Sequence, residues 1–220
     1  MEYFIQKVYP WLIDISAFIP ALPFMVGLYL LRKCGNRYFK LIFLFLVLAV
    51  TTEVVAEITV RMNTTNNLWI NHVYTPVEFI IVALVYYHSF STKVIRNGIL
   101  ITAAAFVLLC IGDAVLLDGL TQMNSAAQMI GNALLISLAV LYFYKIANDL
   151  TITYLDRDPV FLFSCCILIY KAGTSMSYGM FNAALQESYD AARMVLAIIF
   201  ILKILFFTGL VLVLKRAAKV

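Results

Sequence analysis

Charge is scarce in this chain, and so are the residue types from which most catalytic and metal centres are built. Asp, Glu, Lys and Arg make up 13% of its 220 residues, about half the share of an ordinary water-soluble domain. That argues against a soluble enzyme and against a basic nucleic-acid-binding module. Histidine occurs only twice, as His72 and His88, with no H-E-x-x-H or H-x-x-x-H spacing and so no recognisable zinc ligand set. Mixed ligation by His72 with Glu53, Glu57, Glu78 and Asp113 is chemically conceivable. The spacing gives it no support, and neither a metal nor another cofactor is expected. The four cysteines form no C-x-x-C motif. Cys34 falls between apolar segments, and Cys110, Cys165 and Cys166 fall inside them, where a thiol acts as a small hydrophobe. A nucleotide-binding glycine loop, a Ser-His-Asp order and a catalytic Cys–His pair are also missing.

What fills the chain instead is apolar. Hydrophobic residues reach 64%, arranged in seven stretches of roughly 20 residues, each long enough to cross a ~30 Å hydrocarbon layer as a helix at ~1.5 Å per residue. The expected fold is all-α, a single seven-helix transmembrane domain over 1–220, with helices near 9–31, 40–60, 73–91, 98–118, 126–146, 159–181 and 191–214. The first segment carries Pro20 and Pro23, which predict a kink. It has no basic leader with a small-residue cleavage site, so it reads as a retained helix and not a secretory signal.

Basic residues give the orientation. Arg32, Lys33, Arg37, Lys40, Lys93, Arg96, Lys145, Arg157, Lys215, Arg216 and Lys219 fall on one side, and Lys7, Arg61 and Arg193 on the other. This bias predicts an outside N-terminus and a cytoplasmic C-terminus. It also accounts for the net charge of +4, with membrane lipids and not nucleic acid as the partner. Asn63-Thr64-Thr65 on the outer side matches a glycosylation sequon.

A faint internal repeat runs through the hairpins 40–91, 98–146 and 159–214. Glu57 to Thr64 (EITVRMNT) and Asp118 to Ser125 (DGLTQMNS) both place an acid five residues before Met-Asn, and each is followed by a helix ending in aromatics, Tyr86-Tyr87 and Tyr142-Phe143-Tyr144. Repeats of helical units occur in transporter folds. Interfacial aromatic belts produce a similar likeness in unrelated membrane proteins.

At least six ionisable side chains interrupt the apolar stretches: Glu53, Glu57, Glu78, Asp113, Lys171 and Lys203. A charge at membrane depth costs from a few to more than ten kcal/mol, so such residues face a bundle interior or a wet cavity and mark functional sites. Glu53 and Glu57 share one helix face at i, i+4 spacing. Counted from the outer helix ends, Glu78, Asp113, Asp14, Gln128 and Asn132 fall in the same outer slab, which predicts an acidic cavity open to the outside. Lys171 and Lys203 lie deeper, near the bilayer centre. Lys171 heads a polar face with Ser175 and Tyr178, and Glu53 or Asp113 is its expected partner. Structural ion pairing accounts for the same residues without a ligand.

The stretch Asn66 to Pro76 reads as an outer loop, with Pro76 suited to a first helical turn. Within it and beyond, Asn67-Leu68-Trp69, Tyr74, Pro76 and Glu78-Phe79 form an Asn-Leu-Trp-x-x-x-x-Tyr-x-Pro-x-Glu-Phe pattern. This resembles small uncharacterised seven-helix inner-membrane proteins of bacteria, and the resemblance implies a multi-pass protein of the cell inner membrane without implying an activity. Seven helices with Lys203 midway along the last also resemble a microbial rhodopsin, which would make Lys203 the retinal-bearing residue and Glu78 its counter-ion. The chain departs from that pattern, lacking Arg-x-x-Asp-Trp on helix 3, Trp-x-x-Tyr-Pro on helix 6 and an Asp four residues before Lys203. The seven-helix zinc hydrolases of the ceramidase type need several histidines at membrane depth, which this chain lacks.

The function expected from these residues is a membrane carrier or solute-binding protein. Its site residues are Glu53, Glu57, Glu78, Asp113, Asn132, Lys171 and Lys203, and its ligand is a small solute or cation. The alternatives are a sensor or accessory subunit signalling through a protein partner or a second copy, a membrane-embedded enzyme, and a retinal-binding protein.

Overall fold

A computed structural model describes residues 3–32, 35–62, 64, 67–117, 124–149 and 154–219. Lys33, Cys34, Asn63, Thr65, Asn66 and Asp118, which figure in the sequence reading, lie outside the described residues. Seven helices are long and apolar enough to span a membrane: α1 (Phe4–Leu31), α2 (Arg37–Arg61), α3 (Trp69–Ser89), α4 (Lys93–Val115), α5 (Ser125–Asn148), α6 (Pro159–Glu187) and α7 (Tyr189–Ala217). Among the described residues there is no strand. This architecture is that of a multi-pass membrane protein.

Local chemistry sets the helix ends. Asn36 accepts from Tyr38 N at 3.0 Å to start α2, and Asp158 accepts from Val160 N at 2.9 Å to start α6, with Pro159 in the first turn. Both are N-cap arrangements that satisfy amides the helix itself cannot. Ser188 caps α7 through Ala191 N at 3.0 Å and is the sole residue between α6 and α7, which forces these two long helices into a tight antiparallel pair. Gly173 supports their close approach, because a Cβ there would lie 2.5 Å from Leu202. Helix α1 is interrupted between Phe18 and Ala21. Pro20 has no N–H to continue the ladder, while Pro23 sits in the first turn of the second half, where it is tolerated.

Helix α3 begins at Trp69, so Pro76 stands inside the helix and not in its first turn. The segment read as a loop is largely helical, and side chains bond to its backbone close to the proline. Thr75 Oγ1 donates to Asn71 O at 2.8 Å, and Asn124 Nδ2 donates to the same carbonyl at 3.2 Å.

Helix α3 is the most buried of the seven and packs against α2, α4 and α5, whereas α7 packs against α6, α1 and α2. The middle hairpin of the apparent repeat is not a packed unit: α4 and α5 meet only slightly, and α5 lies against α3 and α6. Aromatic rings from three helices close the core, with Phe45 of α2 edge-on to Phe206 of α7 at 5.8 Å and Tyr170 of α6 stacked on Phe206 at 4.6 Å.

The outward faces are apolar. Val94, Ile101, Leu108 and Val115 form a seven-residue-spaced exposed stripe on α4, as suits a helix whose outer surface meets hydrocarbon. Long-range bonds gather many of the basic residues at one end of the bundle. There Arg37 donates to His88 Nδ1, Lys145 to Ser89 O, Asn36 to Ala217 O, and Arg216 pairs with Asp156.

Candidate functional site

Four of the six ionisable residues form two ion pairs between different helices. Lys171 of α6 donates to Glu78 Oε2 of α3 at 2.7 Å, with side-chain exposures of 6% and 8%. Lys203 of α7 pairs with Glu53 of α2, less completely enclosed at 16% and 35%. The expected partner of Lys171, Glu53 or Asp113, is therefore replaced by Glu78. The arrangement a retinal site would need, Lys203 facing Glu78, also differs from the one observed.

The helix ends explain this pairing. From Ser89 back to Glu78 is roughly 16 Å of helix and from Pro159 up to Lys171 roughly 18 Å, so both reach one level above the basic end. From Arg37 to Glu53 and from Ala217 back to Lys203 are roughly 24 and 21 Å, which again match. Acid and lysine thus share a level in each pair, and the acids do not lie above the lysines.

Glu78 is held on both oxygens. Tyr74, one turn earlier on the same face, donates to Glu78 Oε1 at 3.3 Å, and the Lys171 ammonium lies 5.3 Å from the centre of the Tyr170 ring, within cation–π range. Two charges removed from surroundings that could hydrate them persist only when paired and hydrogen-bonded in this way.

The pair forms one wall of a cavity of about 70 Å³ between α3, α4, α5 and α6, enough for a few waters or a solute of a few heavy atoms. Thr174 and Tyr178 continue the polar face of Lys171 along the cavity, where the sequence spacing suggested Ser175 in place of Thr174. Phe79 and Phe106, 4.4 Å apart, close the apolar side. Gly131 lets the α4 ring in: a Cβ there would lie 2.6 Å from Phe106 Cζ.

Two amides on α5 face this cavity incompletely bonded. Asn132 is 5% exposed, and its Nδ2 finds no partner among the described residues. Gln128 donates to Asn124 Oδ1 at 2.9 Å, but its own Oε1 has no partner among the described residues. Asn124 passes the chain on to Thr75 Oγ1 at 3.0 Å, so a run of hydrogen bonds ties α5 to the start of α3. One donor and one acceptor without partners among the described residues thus lie beside the ion pair.

The other residues singled out in the sequence are placed elsewhere. Glu57 is exposed and pairs with Arg61 at 2.7 Å. Glu53 and Glu57 line a separate groove with Asp14, and Asp113, buried at 3% in a π-helical turn, lines neither space. Of the residues that the sequence places in one outer slab, Glu78, Gln128 and Asn132 line the cavity between α3, α4, α5 and α6, joined by Lys171, whose expected place is deeper and beside Glu53 or Asp113. Sequence spacing missed Tyr74 and Tyr170, whose signal was the i, i+4 relation of Tyr74 to Glu78 and the adjacency of Tyr170 to Lys171. No group of three or more His, Cys, Asp or Glu side chains able to hold a metal occurs among the described residues.

No family model, curated protein or solved structure matches this sequence. Function must therefore be argued from the site itself.

Proposed function

We propose that the protein is a membrane carrier or solute-binding protein whose binding chamber is the cavity beside the Lys171–Glu78 pair. The observation that carries this reading is the coincidence, in one cavity, of a buried ion pair with the unpartnered Asn132 Nδ2 and Gln128 Oε1. A buried donor or acceptor without a partner costs about 1–3 kcal/mol. A solute presenting an acceptor to Asn132 and a donor to Gln128 recovers that cost for both. The ion pair contributes no net charge, which suits a neutral or zwitterionic solute over a simple ion.

The pair also supplies a means of coupling. A proton delivered to Glu78 would neutralise it and release the Lys171 ammonium, which would then need another acceptor. A carboxylate or carbonyl of the solute fits that role, so proton and solute would enter together. The basic residues gathered at the C-terminal end of the bundle favour a cytoplasmic C-terminus, and the chamber would then load from the outer side of a bacterial inner membrane.

Thermal-shift measurements on the solubilised protein against amino acids, small amides and polyols test this reading. At least one solute should stabilise the wild type, and Asn132→Leu, which removes the donor and fills the chamber, should abolish that shift. An absence of any stabilising solute, or a shift unchanged in the variant, contradicts it.

A further inference from the structure

The break in α1 opens a second space that the polar chamber does not include. On the N-terminal side of Pro20 the first half of α1 packs on α7 and meets α2 at most slightly, and a groove of about 700 Å³ lies between α1 and α2. That volume lies in the range of sites for ordinary small-molecule ligands, which are mostly apolar with a few placed polar groups. Here Ala17 and Phe18 of α1 and Val50 and Val54 of α2 supply apolar walls.

The charges along the groove do not balance. Arg61 is matched by Glu57 and Glu53 by Lys203. Asp14 projects from α1 into the same groove and has no ion-pair partner among the described residues. One turn before it on α1, Trp11 is 70% exposed, as suits an aromatic at the membrane interface. A carboxylate at that depth is stabilised by a cation, and the groove's single surplus negative charge calls for a single positive one on a molecule whose remainder is apolar.

From the groove's apolar walls and its unmatched Asp14, we infer that the space between α1 and α2 is a binding site for hydrophobic monocations, amines with one protonated nitrogen on a long apolar body. The ammonium pairs with Asp14, and the apolar body lies along Phe18, Val50 and Val54. This site is separate from the solute chamber and does not depend on it.

The test uses tryptophan quenching in phosphatidylcholine nanodiscs, with selective tryptophan excitation and the Trp69→Phe variant so that Trp11 is the sole tryptophan. The probes are a dibrominated eighteen-carbon amine and the alcohol of the same chain. The amine should quench Trp11 at several-fold lower concentration than the alcohol, and Asp14→Asn should remove the difference. Ala17→Phe, which obstructs the groove one turn from Asp14 and leaves Asp14 in place, should also remove it. Equal quenching by amine and alcohol means an ordinary acyl chain lies in the groove and overturns the proposal. A preference for the amine that survives both substitutions overturns it as well, since the amine would then be concentrated by the bilayer and not by this groove. Asp14 is exposed and its loss breaks no ion pair, so the Asp14→Asn variant retains the fold against which the result is read.

Discussion

Lys171 Nζ and Glu78 Oε2, 93 residues apart in sequence, meet at 2.7 Å with almost no exposure of either side chain, and join α6 to α3. Removing one member of such a pair leaves its partner as an uncompensated charge, at a cost of about 3–5 kcal/mol. Lys171→Met is therefore expected to lower the thermal midpoint of the solubilised protein sharply. A midpoint within a degree of wild type would mean that the two groups are not buried together.

The Lys203–Glu53 pair gives an internal comparison. Glu53 keeps 35% of its side-chain surface exposed toward the groove, so it has access to other partners when the lysine is lost. Lys203→Met should cost about 1–2 kcal/mol, intermediate between exposed and buried pairs. Unfolding both variants under the same conditions checks the order, with Lys171→Met the more destabilised.

Gly131 makes a steric prediction. A methyl group at this position meets Phe106 Cζ at 2.6 Å, and the ring is backed by Phe79 at 4.4 Å, so it has little room to retreat. Gly131→Ala should destabilise by about 1–3 kcal/mol, the usual cost of overpacking. Gly131→Ala combined with Phe106→Leu should recover most of that loss in the same unfolding assay.

The distribution of basic residues predicts the orientation. Reporter fusions placed after Lys219 and inserted at Thr64 should report cytoplasmic and extracytoplasmic locations respectively. The reverse pattern would invert the direction of loading proposed for the chamber.

Much of this architecture was legible in the sequence for one reason: a span of about 20 apolar residues has few other folded states. The seven helices follow directly, as does the break at Pro20. The ion pairs were harder, because pairing depends on depth and depth depends on where each helix starts. Taking α3 to begin at Val73 placed Glu78 too near the outer surface and made Glu53 and Asp113 seem better matched to Lys171. With α3 starting at Trp69 and depth counted from the basic end, Glu78 falls level with Lys171. Pro76 caused the error, since proline ordinarily marks a helix start; only tertiary bonds such as that from Asn124 to the Asn71 carbonyl reveal that the helix has already begun. The separation of Glu53 and Glu57 from Glu78 was not legible at all, because helical spacing places residues on a face of their own helix and does not say which neighbour that face meets.

The account rests on Lys171 and Glu78 serving a ligand as well as the fold, and the double variant Lys171→Met with Glu78→Gln separates the two roles. Removing both charges leaves no uncompensated ion, so stability should return to near the wild-type value. Measured with the solute that stabilises wild type, binding should not return, because the ammonium and the carboxylate are both gone from the chamber wall. A double variant that regains stability and binds the solute as wild type does would show that the pair only holds α6 to α3, and would contradict the proposed function.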